Sequence, residues 1–145
     1  MAERIRIRKL DHVVIRARDT AKMIVFYCDV LGCSLEKHST AVAGLTHLRA
    51  GDSLIDIMPL ADDVSVTEAV ETNMDHLCIQ VEPFTEDGIK AHLEQHGVEV
   101  GAFGRRYGAD GDGTSVYIRD PEGNEVELKA PPIIRAARSL QIDQG

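Results

Sequence analysis

The chain repeats itself: Leu10-Asp11-His12-Val13-Val14-Ile15 returns as Met74-Asp75-His76-Leu77-Cys78-Ile79, and the same order of helix and strand signals follows each copy. A repeat of this length implies one supersecondary unit built twice. After the first copy, Asp19 or Thr20 offers an N-cap, Met23, Phe26, Tyr27, Val30 and Leu31 fall at helical spacing, and Gly32 supplies a stop. After the second, Thr85 caps a run through Ile89 and Leu93 that ends at Gly97, with Gly88 weakening the first turn. Strand-like stretches then follow at 34–39, 45–50 and 53–58, and again at 98–103, 114–119 and 125–129. Each half reads β, α, β, β, β.

The expectation is an α+β fold of two βαβββ modules in tandem, with curved sheets forming a metal-binding cavity. Module 1 covers about 8–60, a linker 61–72, module 2 about 73–130 and a tail 131–145, all within one domain spanning 1–145. At 145 residues such a chain can bury a core without disulfides or structural zinc. Cys28, Cys33 and Cys78 form no CxxC pair, and their odd number favours reduced thiols.

A net charge of −8, with no basic cluster beyond Arg4, Arg6, Arg8 and Lys9, argues against nucleic acid and for a small-molecule partner. No apolar run approaches the roughly 18 residues of a membrane span, and no secretory signal is visible. The expected location is the cytoplasm.

Alternation along a strand sorts side chains onto two faces. Val13 and Ile15 belong on the helix-covered face, which sends His12 the other way; Leu77 and Ile79 do the same for His76. In the last strand of each half, Ile55 and Ile57, or Val126 and Leu128, leave Asp56 or Glu127 opposite the helix. With the halves related by an approximate twofold axis, His12, Asp56, His76 and Glu127 would line one cavity. Two imidazoles and two carboxylates suit a divalent Zn, Ni, Mn, Fe or Co ion with open positions. Burying such groups without a cation would be costly.

The segments Leu10-Asp11-His12-Val13, Phe26-Tyr27-Cys28-Asp29-Val30-Leu31-Gly32 and Tyr117-Ile118-Arg119-Asp120-Pro121-Glu122-Gly123-Asn124, leading into Val126-Glu127-Leu128, resemble the vicinal oxygen chelate superfamily. That group includes glyoxalase I, fosfomycin-resistance thiol transferases, methylmalonyl-CoA epimerase and extradiol dioxygenases. The resemblance spans roughly 8–130 and implies metal ligands at His12, Asp56, His76 and Glu127. Asp at position 56 departs from the usual Glu, Gln or His. The resemblance also implies a homodimer, to which the apolar residues of the tail could contribute.

The same parity places His47, Arg49, Ser115, Tyr117 and Arg119 as candidate substrate contacts. Cys78 reads as cavity wall. The stretch Gly108-Ala109-Asp110-Gly111-Asp112-Gly113 lacks the Lys-Ser/Thr of a P-loop and the later Glu of an EF-hand, and reads as a mobile loop over the cavity mouth.

The leading expectation is a metal-dependent lyase or isomerase of glyoxalase type, holding two adjacent substrate oxygens while Glu127, or second Asp56, moves a proton. Three alternatives compete. One is a 2-His-1-carboxylate Fe(II) dioxygenase using His12, His76 and Glu127. Another is a thiol transferase of the fosfomycin-resistance type, with Arg49 and Arg119 meeting the anionic substrate. The third is a metal-free protein that sequesters an antibiotic.

Overall fold

The computed structural model describes residues 4–61 and 73–132, so the linker after residue 61 and the tail after 132 lie outside the described residues. The chain divides into two compact units, Met1–Ser65 and Val66–Gly145. They follow the two copies of the repeat.

In the first unit, β1 (His12–Ala17) leads to α1 (Thr20–Val25), which runs on as a π-helical stretch (Phe26–Val30), followed by β2 (Ser34–His38), β3 (Thr46–Ala50) and β4 (Ser53–Pro59). The Asp19 carboxylate caps α1 by accepting from the Lys22 amide at 3.0 Å. Gly32, at φ +84°, turns the chain out of the helix. The strand order is β1-β4-β3-β2, with β1 parallel to β4 and the other pairs antiparallel. First and last strands therefore lie side by side.

The second unit repeats the plan with β5 (His76–Gln80), α2 (Glu86–Gln95), β6 (Gly104–Gly108), β7 (Gly111–Arg119) and β8 (Glu125–Lys129), in the order β5-β8-β7-β6. Thr85 caps α2 through the Gly88 amide at 3.1 Å. A Cβ on Gly88 would stand 2.6 Å from that threonine oxygen, so the weak helix former serves the cap.

One strand differs from expectation. Residues 98–103 are not a strand, because Val98 is spent closing the helix end through its amide on the Leu93 carbonyl at 2.9 Å. The strand forms instead at Gly104–Gly108 and pairs Gly108 with Gly111 across a two-residue turn. The glycine-rich stretch is thus strand residues of the β6–β7 hairpin with a two-residue turn, in place of the expected mobile loop.

Burial follows the alternation in β1, whereas in β4 and β8 both faces are buried, Asp56, Glu127 and Lys129 included. Ile15, Ala17, Leu48, Ile55 and Ile57 are buried in the first unit with Met23, Phe26 and Tyr27, and Val116, Ile118, Val126 and Leu128 are buried in the second. Leu48 is fully enclosed. Leu48→Ala is expected to cost about 2–5 kcal/mol through lost burial and a residual cavity, read as a lower urea midpoint. An unchanged midpoint would refute that core assignment.

Candidate metal centre

Register carries the two imidazoles and the two carboxylates to equivalent places. Val14 lies opposite Asp56 as Cys78 lies opposite Glu127, so in each unit the carboxylate stands two residues along from the histidine on the neighbouring parallel strand. Paired residues share a face, and so His12 and Asp56 share one, as do His76 and Glu127. His47 and Arg49 join the first pair through β3, while Ser115, Tyr117 and Arg119 join the second through β7.

In the second unit the pair is in contact: His76 Nε2 lies 3.2 Å from Glu127 Oε2. The other ring nitrogen, Nδ1, is held 2.6 Å from Asp75 Oδ2, and the Tyr117 ring meets the imidazole edge-on at 5.2 Å. An Asp on Nδ1 fixes the ring and leaves Nε2 for a cation, the usual support of a metal-ligating histidine. The Asp75 hydrogen bond, with added charge from Glu127, raises the His76 pKa above its ordinary value. Proton and cation then compete for Nε2, so metal affinity should fall as pH drops through that raised value.

Glu127 is only 6% exposed, yet its Oε1 has no hydrogen-bond partner among the described residues. A buried carboxylate oxygen left so is costly unless something cationic meets it.

The first unit repeats the support but not the contact. His12 Nδ1 lies 2.7 Å from Asp11 Oδ2, which raises the His12 pKa, with a further contribution from the Asp56 charge. Asp56, 2% exposed, turns to His47 instead: Asp56 Oδ1 and His47 Nδ1 are 2.8 Å apart. His47 occupies the register position that Tyr117 holds in the second unit, which gives the shorter carboxylate a closer partner.

The remaining candidates are engaged locally. Arg49 grips Glu36 with two hydrogen bonds of 3.2 and 3.1 Å. Arg119 donates to the Gly123 carbonyl at 3.2 Å. The Asp120 carboxylate accepts from the Glu122 and Asn124 amides and from the Asn124 side chain, so the Asp-Pro-Glu-Gly-Asn string builds the β7–β8 turn. Ser115 is fully buried and takes a hydrogen bond from Arg106, whose guanidinium lies 4.6 Å from the Tyr117 ring centroid. Sequence reasoning missed Arg106 because it fell outside the expected strands. It also missed Lys129, although Lys129 has the parity of Glu127.

Cys28, Cys33 and Cys78 are free thiols. Although Cys78 is exposed, desolvation by its neighbours first, and then the Glu127 carboxylate, push its thiol up to about 11. Such a thiol is mostly protonated at pH 8. Glu127→Gln should lower that pKa and speed iodoacetamide alkylation of Cys78 several-fold at pH 8–9, followed by site-resolved mass spectrometry. Cys33, raised to about 11 mainly by burial, is the internal control. Equal Cys78 rates in both proteins would refute the Glu127–Cys78 coupling.

Among the described residues no three His, Cys, Asp or Glu side chains gather into a ready ligand cluster. The fit to a cation therefore rests on donor chemistry. Glu127 Oε1 is buried and unpartnered, and His76 Nε2 stands beside its sister oxygen with the ring already oriented. These groups suit a divalent ion.

Residues 9–128 match the Glyoxalase/Bleomycin resistance protein/Dioxygenase superfamily, and the chain belongs to it. The chain is 32% identical over 127 residues to glyoxalase domain-containing protein RDO1 of Mycosarcoma maydis, covering 86% of this chain and 69% of that protein. It is 28% identical to the V. cholerae integron cassette protein VCH_CASS1, whose structure superposes with a TM-score of 0.73 over 90% of this chain and 100% of that one. Virulence protein STM3117 of Salmonella typhimurium is similar as well: 25% identity, TM-score 0.70, covering 88% of this chain and 100% of that one. The fold is glyoxalase-like. The superfamily includes enzymes and commonly binds divalent metals. No helix among the described residues is long and apolar enough to cross a membrane.

Proposed function

We propose that this chain is a divalent-metal-dependent enzyme of glyoxalase type, a lyase or isomerase acting on a small substrate with adjacent oxygens. The observation that carries this reading is Glu127, buried beside His76 with one oxygen unpartnered. His76 and Glu127, with His12 and Asp56 as the equivalent pair of the repeat, are the proposed donors.

A bound cation would supply Lewis-acid polarisation of a carbonyl. The protein's own groups supply the proton chemistry. Glu127 is the proposed base: it would take a proton from carbon on a carboxylate oxygen that the cation does not engage, with His76 Nε2 beside its Oε2. Asp56, with one oxygen engaged by His47, is the second candidate base. Tyr117 meets the imidazole edge-on and limits its movement.

The same His47 contact favours one other reading. With Asp56 engaged by His47, the proposed donors of a 2-His-1-carboxylate Fe(II) dioxygenase would be His12, His76 and Glu127. Activity that requires both Fe(II) and O₂ selects this reading; activity with Ni, Zn or Mn under argon rejects it.

The general test is metal content of untagged protein purified without chelator, with thermal stabilisation by Mn, Fe, Co, Ni and Zn. The absence of both bound metal and stabilisation would overturn the enzyme reading and leave the sequestering protein as the better account. We further infer a cytoplasmic homodimer. Light scattering that returns a monomer at micromolar concentration would remove the dimer.

A further inference from the structure

The face of β5–β8–β7–β6 that carries His76 and Glu127 also carries two cations, Arg106 and Lys129, that make no contact ion pair among the described residues. Lys129 is 3% exposed, and its ammonium donates to the Arg106 carbonyl at 2.6 Å. Arg106 is half-buried and donates to the Ser115 carbonyl and hydroxyl at 2.7 and 2.9 Å, with its guanidinium stacked on Tyr117. Among the described residues neither cation takes part in an ion pair, whereas Arg49 and Arg105 both do. The charge of a buried ammonium is little screened.

The glycines of the β6–β7 hairpin make this arrangement possible. A Cβ on Gly108 would come within 2.6 Å of Lys129 Cε, and one on Gly113 within 2.9 Å of Lys129 Nζ. A Cβ on Gly104 would press the Arg106 guanidinium at 3.3 Å. The glycine-rich stretch is therefore a floor that lets both cationic side chains lie flat on the sheet.

We propose that Arg106 and Lys129 form a seat for a small oxyanion, a carboxylate or phosphoryl group. Arg106 would offer the N–H groups that its hydrogen bonds to Ser115 and Ala102 leave over, and Lys129 supplies buried positive charge behind it. Lys129 follows Glu127 by two residues on β8, about 7 Å along the strand. An anionic group held here lies a few bonds from atoms held at Glu127. That the oxyanion belongs to the substrate rests on the enzymatic reading above; the seat itself does not.

The test uses the full chain freed of metal and titrates inorganic phosphate and acetate by calorimetry in a zwitterionic buffer. Saturable binding of at least one probe is expected, weakened at least tenfold by Arg106→Gln and by Lys129→Met. Arg105→Gln, on the other face of the same strand and paired with Asp112, should bind as the wild type does. Gly113→Ala, which removes no charge but crowds the ammonium, should weaken binding too and covers the case in which Lys129→Met misfolds. The tighter probe identifies the group the seat takes. Absence of binding to wild type, or equal binding by Arg106→Gln, overturns the seat. Mn²⁺ stabilisation of the same proteins separates the two ideas. Stabilisation without Arg106-dependent anion binding sinks the seat alone, whereas Arg106-dependent anion binding without stabilisation sinks the enzymatic reading and leaves the seat standing.

Discussion

His76→Ala is expected to abolish stoichiometric binding of a divalent cation. The imidazole is a neutral donor 3.2 Å from Glu127, and Asp75 already holds its ring by Nδ1. Removing it leaves a buried carboxylate that cannot orient a cation alone. The readout is metal per chain after gel filtration, together with the thermal shift on adding Mn, Ni or Zn. A site occupied at a hundred times its dissociation constant stabilises by about 2.7 kcal/mol, and the variant should lose that increment. His12→Ala should behave alike if the repeat reports function and not ancestry alone. Asp75→Asn, which loosens the ring but keeps the ligand, should weaken affinity by roughly 10–100-fold. One tightly bound metal per chain in His76→Ala would refute the assignment.

Much of this arrangement was legible because period-2 alternation and the repeat agree with each other. Parity alone separates Val13 and Ile15 from His12, and Val126 and Leu128 from Glu127. Repetition then makes a chance His-Asp neighbour into a pattern. What stayed hidden depended on contacts no local pattern encodes. Whether Asp56 turns to His12 or to His47 is decided by which residue β3 sets opposite it, and by a side chain one methylene shorter than that of Glu127. The shift of a strand from 98–103 to Gly104–Gly108 arises because the helix end consumes Val98. That shift is why Arg106 escaped notice. Lys129 was within reach of the same parity argument, but a lysine at a strand end reads as solvated until burial shows otherwise.

Glu127→Gln asks whether one residue fills two roles. The amide keeps the size of the side chain and one carbonyl donor beside His76, but removes the negative charge and the oxygen able to hold a proton. Metal affinity should therefore weaken without vanishing. At saturating metal the rate should fall by roughly 10²-fold or more, because general-base catalysis is lost while binding geometry persists. That split distinguishes a base from a mere ligand: a ligand alone would show its whole effect in the metal titration and recover at saturation. Asp56→Asn, whose carboxylate is engaged by His47, should be milder on both measures. Should Glu127→Gln recover the full rate once metal is saturating, Glu127 is not the base, and the proton must be moved by Asp56 or by the substrate's own groups.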